Sequence, residues 1–211
     1  MPTLTIYAGI NGAGKSTLHR FQSITNGSDA YGIRINPDEI LKEFSGNFND
    51  DIDIIRSGRI ALDKLKHCLD HNVSFNWETT ILSHFVLNHI EQAKDQGYTV
   101  NINFIGVNDI EQSFSRIRLR VLTGGHNVPR HFVQYRFEHQ FDNMDAAIAL
   151  ADRIYFYDNS TTMQLVGACT NHNITFFDQN VPWANKVLSQ CPTYQSSKHQ
   201  QTQTTTQKRL P

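Results

Sequence analysis

The sequence predicts an α/β fold on a central, mainly parallel sheet, and three observations carry that reading. Short apolar runs alternate with segments of helical periodicity, the pattern of successive β–α–β units. A glycine-rich segment joins the first apolar run to the first helical one. The 211 residues are enough for one domain with a buried core, and few for two.

Taken in order, Leu4 to Ala8 is the first strand and feeds the glycine segment, after which Ser16 to Phe21 opens a helix. Tyr31 to Ile35 is a second strand. Pro37 suits the first turn of a helix carrying Ile40, Leu41 and Phe44, where a missing N–H costs nothing. Asp51 to His71 is the longest helical segment; Ile55, Leu62, Leu65 and Leu69 recur at spacings of seven, three and four, which predicts an inward face. Val73 to Trp77 is a third strand and ends at Glu78. Ser83 stands where a cap belongs, ahead of a helix with Val86, Leu87, Ile90 and Ala93 inward and Gly97 at its stop. Val100 to Val107 is the fourth strand. Asp109 suits the N-cap of a helix running to Gly124-Gly125, and Pro129 opens another that is expected to run towards Ala151. Arg153 to Tyr157 is a fifth strand, and Met163 to Cys169 with Ile174 to Phe177 predict a hairpin about a polar turn.

Residues 1–191 are expected to form the one domain. Residues 192–211 hold only Tyr194 and Leu210 as large apolar side chains, which predicts a disordered low-complexity tail. Nineteen Lys+Arg against 20 Asp+Glu leave a net charge of −1, so charge gives no case for a nucleic acid or an acidic membrane as partner. No apolar run approaches the roughly 18 residues of a membrane span, and no basic stretch precedes an apolar one at the N-terminus. Cys68, Cys169 and Cys191 form no CxxC pair. A disulfide framework and a cysteine-rich zinc site are therefore not expected, and a reducing, cytoplasmic setting is.

Gly9-Ile10-Asn11-Gly12-Ala13-Gly14-Lys15-Ser16 matches GxxxxGK[ST], directly after an expected strand and before an expected helix. Glycines let successive backbone N–H groups turn inward, and the helix N-terminus adds favourable partial charge for phosphate. On this reading Gly9, Asn11, Gly12, Ala13, Gly14 and Thr17 bind the nucleotide. Lys15 neutralises β/γ-phosphate charge, and the Ser16 hydroxyl ligates Mg²⁺. The guanine-reading NKxD pattern is missing, since Asn185-Lys186-Val187-Leu188 lacks the aspartate. ATP is the expected nucleotide.

Asp38 follows strand two and Glu78 ends strand three. Strand C-termini of an open parallel sheet line the ligand crevice, so both acids should face the loop. There an acid can accept or orient the proton of an acceptor hydroxyl. Asp109 and Asp158 close the two runs nearest to a metal-holding strand end, and Asp109 reads better as a cap. Arg116, Arg118, Arg120, Arg130 and Arg136 flank Gly124-Gly125-His126-Asn127-Val128-Pro129, as in a helical lid that folds over a phosphate donor. A guanidinium fork suits phosphate oxygens, and Arg116 and Arg120 share a helix face that Arg118 does not. Three chemistries stay open: a kinase with a small-molecule acceptor, an ATPase that drives a partner protein, and a nucleotide-binding protein without turnover.

The segments AGINGAGKST, INPDEI, WETT, RVLTGGHNVPRHFVQYRFEH and YDNS together resemble the zeta toxin family of P-loop kinases, in particular its zeta-like branch also labelled predicted ABC-type ATPases. The resemblance covers about residues 3 to 160, and the GGHxVP segment with YDNS is its specific part. It implies a P-loop kinase-like three-layer sandwich with a five-stranded sheet. It also implies transfer of phosphate from ATP, with Mg²⁺, to a sugar hydroxyl of a UDP-activated sugar, and a small antitoxin as partner. By match, Lys15 and Ser16 take the phosphate and metal roles and Asp38 that of catalytic base. Glu78, with Thr79 and Thr80, binds the acceptor. Arg120 and Arg136 are the charge-stabilising arginines, with Arg116 as a further substrate contact, and Asn159 lies where the adenine passes. Two departures stand out. Asn36-Pro37-Asp38 replaces the usual Asp-x-Asp, and Glu78-Thr79-Thr80 replaces Glu-Gly-Thr, with added bulk where glycine lets a substrate approach.

Overall fold

The computed structural model describes residues 1–194 except Ile81, His126 and Gln179. The expected tail beyond Tyr194, and His126 of the glycine-containing turn, lie outside the described residues. One sheet runs through the molecule in the order β2-β3-β1-β4-β5-β6-β7. Its strands are β1 (Thr3–Ala8), β2 (Ile33–Ile35), β3 (Phe75–Thr79), β4 (Thr99–Gly106), β5 (Arg153–Asp158), β6 (Gln164–Thr170) and β7 (Asn173–Phe176). The first five in that order pair in parallel; β6 and β7 add antiparallel. The sheet thus has seven strands rather than five. The expected hairpin joins it because Val166, Cys169, Ile174 and Phe176 are buried in the same core as β5, whose edge would otherwise stay unpaired.

The two faces of the sheet differ. Leu4, Ile6, Ala8, Val100, Ile102 and Phe104 enter the main core beneath α3 (Asp51–Asp70), α4 (His84–Asp95), α7 (Met144–Leu150) and α8 (Pro182–Gln190). Period-two alternation turns Tyr7 and Ile105 to the other face, where they pack with Leu18 of α1 (Lys15–Asn26). Helices on both faces make the three layers. The lid helices α5 (Ile110–Leu122) and α6 (Arg130–Glu138) have a small core of their own, Phe114, Ile117, Val128 and Val133.

Three expectations need correcting. On α3 the inward side is Ser57, Ala61, Leu65, Cys68 and Leu69, while Ile55 and Leu62 are exposed; small inward residues escape a count of large ones. The helix expected from Pro129 to Ala151 breaks into α6 and α7, because Phe141 between them turns into the core against Phe104 and Trp183. Helix α8 has no counterpart among the expected elements. Its Trp183 packs against Phe104, Phe141, Phe156 and Phe176. Only glycine fits at 106, since a Cβ there would come within 2.4 Å of that indole. Pro192–Tyr194 form a 3-10 turn, and Tyr194 packs against the main core. Among the described residues no helix is long and apolar enough to cross a membrane.

Candidate active site

The glycine segment leaves β1 and closes on the N-terminus of α1 at the carboxyl edge of the sheet. Gly12 and Gly14 have φ of 80° and 106°, in the left-handed region that favours glycine. A Cβ on Gly12 would lie 2.8 Å from the Ser113 carbonyl oxygen. No side chain caps α1 and no acid stands in its first turn, a state it shares with α4, α6 and α8, but α1 alone of these starts directly from the glycine loop. An uncapped, acid-free helix start is what a phosphate requires. Gly9 and Ala13 lie behind the loop rather than in the cleft. Their carbonyls accept from Lys15 Nζ (2.8 Å) and Asn159 Nδ2 (2.8 Å), so they shape the loop from within.

Lys15 is buried, and its ammonium also donates to the Ile10 carbonyl at 3.1 Å. Burial pushes its pKa down, against the opposing pull of Glu78 and Asp38. Ser16 Oγ donates to both Glu78 oxygens, at 2.9 and 3.1 Å, and Lys15 Nζ stands 3.9 Å from Glu78 Oε1. Glu78 accepts two further bonds, from Arg34 Nη2 at 2.5 Å and Asn36 Nδ2 at 3.0 Å. Arg34 also forks onto Glu39 and donates to Asn76 Oδ1 at 3.0 Å. Burial works against its charge, but Glu39 and Glu78 outweigh that and raise its pKa.

Asp38 behaves differently. Its backbone N–H closes the Asn36 cap at 3.0 Å, while its carboxylate is 47% exposed and stands 3.7 Å from Arg120 Nη1, itself 35% exposed. Arg136 donates to Asn11 Oδ1 at 2.5 Å, and burial lowers its pKa. Arg116 donates to the carbonyls of Asn159 (2.6 Å) and Gly12 (3.3 Å). That ties it to the phosphate loop, while it lines the same cleft as Thr79 and Thr80. Asp109 accepts from Glu111 N as the cap of α5, and Asp158 accepts from Trp183 Nε1 (2.8 Å) and Ser160 Oγ (2.8 Å). Both acids are committed to holding the frame.

These groups line one cleft of about 1210 Å³. The structure brings Asn11, Gly12, Gly14, Lys15, Ser16, Thr17, Asp38, Glu78, Thr79, Thr80, Arg116, Arg120, Arg136 and Asn159 together around it. Sequence reading misses Arg34, which acts behind the cleft, and Phe85, His131, Phe132 and Tyr135 at its mouth. An arginine inside a strand otherwise built of isoleucines is the one signal that could have marked Arg34. Among the described residues no group of three or more His, Cys, Asp or Glu is placed to hold a metal ion.

The sequence model of the zeta toxin family matches residues 1–180. A relative from Haemophilus influenzae, an uncharacterized protein, is 33% identical over 131 residues, 62% of this chain and 89% of its own length. Among solved structures, the AvrRxo1-ORF1:-ORF2 complex with ATP aligns at a TM-score of 0.67 and 17% identity, over 91% of this chain and 64% of that one. The chain thus spans less than two thirds of that neighbour. The PezAT chromosomal toxin–antitoxin system of Streptococcus pneumoniae aligns at 0.55 and 19% identity, over 77% and 70%. At such identities the two neighbours show a shared fold.

Proposed function

This chain belongs to the zeta toxin family, and from that premise we propose that it is an ATP- and Mg²⁺-dependent kinase that phosphorylates a hydroxyl of a small molecule. The carrying observation is the cleft beyond the phosphate loop. At about 1210 Å³ it exceeds the roughly 300–1,000 Å³ of a site for one small ligand. Its far half presents Asp38, the Thr79 and Thr80 side chains and the rings of Phe85, Phe132 and Tyr135. Water for hydrolysis requires none of that lining; an acceptor does.

The loop and the uncapped start of α1 fit a triphosphate, and Ser16 Oγ beside them offers a hard oxygen atom that suits Mg²⁺. ATP would supply the phosphoryl group, and Mg²⁺ held with it at Ser16 would offset its negative charge. Lys15 holds positive charge beside the β/γ position without having to be desolvated at the moment of reaction. Asp38 accepts the acceptor's hydroxyl proton as its oxygen bonds to the γ-phosphorus and the bond to the leaving ADP breaks. Arg120 and Arg136 approach from the lid, where they offset charge on the transferring group and help exclude water.

A UDP-activated sugar is the acceptor class that the resemblance implies, and a small antitoxin the partner; a neighbour holding ATP supports the donor, and another named as a toxin–antitoxin system supports the partner. The three buried, unpaired cysteines suit a reducing cytoplasm. The test is γ-labelled ATP with a panel of UDP-sugars, free sugars and nucleosides. Label should appear in one organic phosphate. Label released only as inorganic phosphate, whatever the acceptor, would replace the kinase with an ATPase.

A further inference from the structure

We infer that Glu78 is the acid that orients the metal-ligating Ser16 hydroxyl, and that Arg34 and Asn36 are the positioning residues holding it there. This rests on the reading of the cleft as a Mg²⁺·ATP site. The resemblance assigns Glu78 to the acceptor, but its contacts lie on the nucleotide side. Both its oxygens accept from Ser16 Oγ, and Lys15 Nζ is its nearest cation from the loop. A hydroxyl that donates its proton to a carboxylate keeps its lone pairs for a cation, so Glu78 fixes the ligand geometry of Ser16. The competing acids are engaged elsewhere: Asp109 caps α5, Asp158 holds Trp183 and Ser160, and Asp38 pairs with Arg120.

A carboxylate this far out of water needs partners, and they come from β2. Parallel pairing sets Arg34 opposite Asn76 on β3, two residues before Glu78 on the same face. Its guanidinium touches Asn76, Glu39 and Glu78 at once, which leaves it one orientation. Asn36 finishes the clamp. Its Nδ2 donates to Glu78 Oε2 at 3.0 Å and to Glu39 Oε1 at 3.0 Å, and its Oδ1 caps α2 (Pro37–Glu43). An aspartate in place of Asn36 would set a further carboxylate against Glu78. Asparagine makes that contact a hydrogen bond.

The experiment is calorimetric titration of the full chain with ATP, once in Mg²⁺ and once in EDTA. Mg²⁺ should tighten ATP binding to the wild type. Glu78→Gln and Arg34→Gln should each lose about 10- to 100-fold of affinity in Mg²⁺, the usual cost of disturbing a ligand's outer partners, with affinity in EDTA little changed. Arg34→Lys, which keeps the charge but not the fork, should recover part of the loss. Glu78→Gln is isosteric and carries the test alone if Arg34→Gln does not fold. An unchanged Mg²⁺ effect in Glu78→Gln, together with a raised KM for the acceptor, would return Glu78 to the acceptor side and overturn the inference. Wild-type protein that binds no ATP in either buffer would instead sink the kinase reading beneath it.

Discussion

On the phosphate-loop side of the cleft, Lys15, Ser16, Asn36 and Glu78 are withdrawn from solvent and cross-linked by hydrogen bonds to one another, to the loop and to β2. On the lid side, Asp38 and Arg120 are partly exposed and meet at 3.7 Å, and Phe85, Phe132 and Tyr135 stand half-exposed around the opening. The first side has already met its desolvation cost in folding, so its dipoles need not reorganise when a nucleotide enters. The second keeps more of its side-chain surface in water, where an acceptor could reach it. On the proposed function, this contrast corresponds to a preformed nucleotide half and an open acceptor half of one cleft.

Lys15→Met tests the preformed side hardest. Removing its charge should cut phosphoryl transfer by about 10³-fold, the upper range for one preorganised charge-stabilising donor. The apolar stem is kept, so the melting temperature should move by only a few degrees. Near-normal transfer would mean that the loop does not handle the developing charge.

Asp38→Asn probes the junction of the two sides. Loss of a general base costs about 10²- to 10⁴-fold, and the loose transition state of phosphoryl transfer puts the expectation at the lower end. ATP affinity should hardly change, because Asp38 faces the lid. A parallel loss of both would erase the division drawn here.

Tyr135→Ala and Phe132→Ala address the lid side alone. Each removes a half-exposed ring, so the acceptor KM should rise by about tenfold, on the order of 1.4 kcal/mol, with kcat and ATP affinity nearly constant. A rise in the Kd for ATP instead would place these rings over the nucleotide.

Asp152→Asn gives the smallest effect and tests the frame outside the cleft. Its carboxylate accepts from the Val100 amide and from Lys94, both at 2.7 Å. Burial raises its pKa, but those two partners outweigh it, and the net value falls below the usual 3.8. A depressed carboxylate pKa stabilises the fold above the unfolded-state value, and that contribution is lost as pH falls through the folded one. The variant should therefore lose about 1 kcal/mol at neutral pH, discounted for exposure, and converge on the wild type below that window. Denaturant melts at neutral and strongly acid pH, with kinase activity unaltered at neutral pH, check it.

Much of this molecule follows from short stretches of chain. The phosphate loop, the Asp109 cap, the strands and the positions of Asp38 and Glu78 at strand ends are read from neighbours within a few residues. Periodicity, capping and glycine geometry act over that range. Where large apolar residues are a poor guide, as on α3, or where one buried ring breaks a helix, as at Phe141, the pattern misleads. The sequence by itself determined the strand–loop–helix setting of the glycine segment and which acids reach its edge of the sheet. Only the tertiary structure decided how those acids divide. Arg34 and Glu78 are 44 residues apart, and the register of β2 on β3 brings them together. The same holds for the hairpin on β5 and for Trp183 beneath Gly106. Such contacts depend on long-range pairing, and the energy that selects it is gathered over a whole core rather than written at any one position.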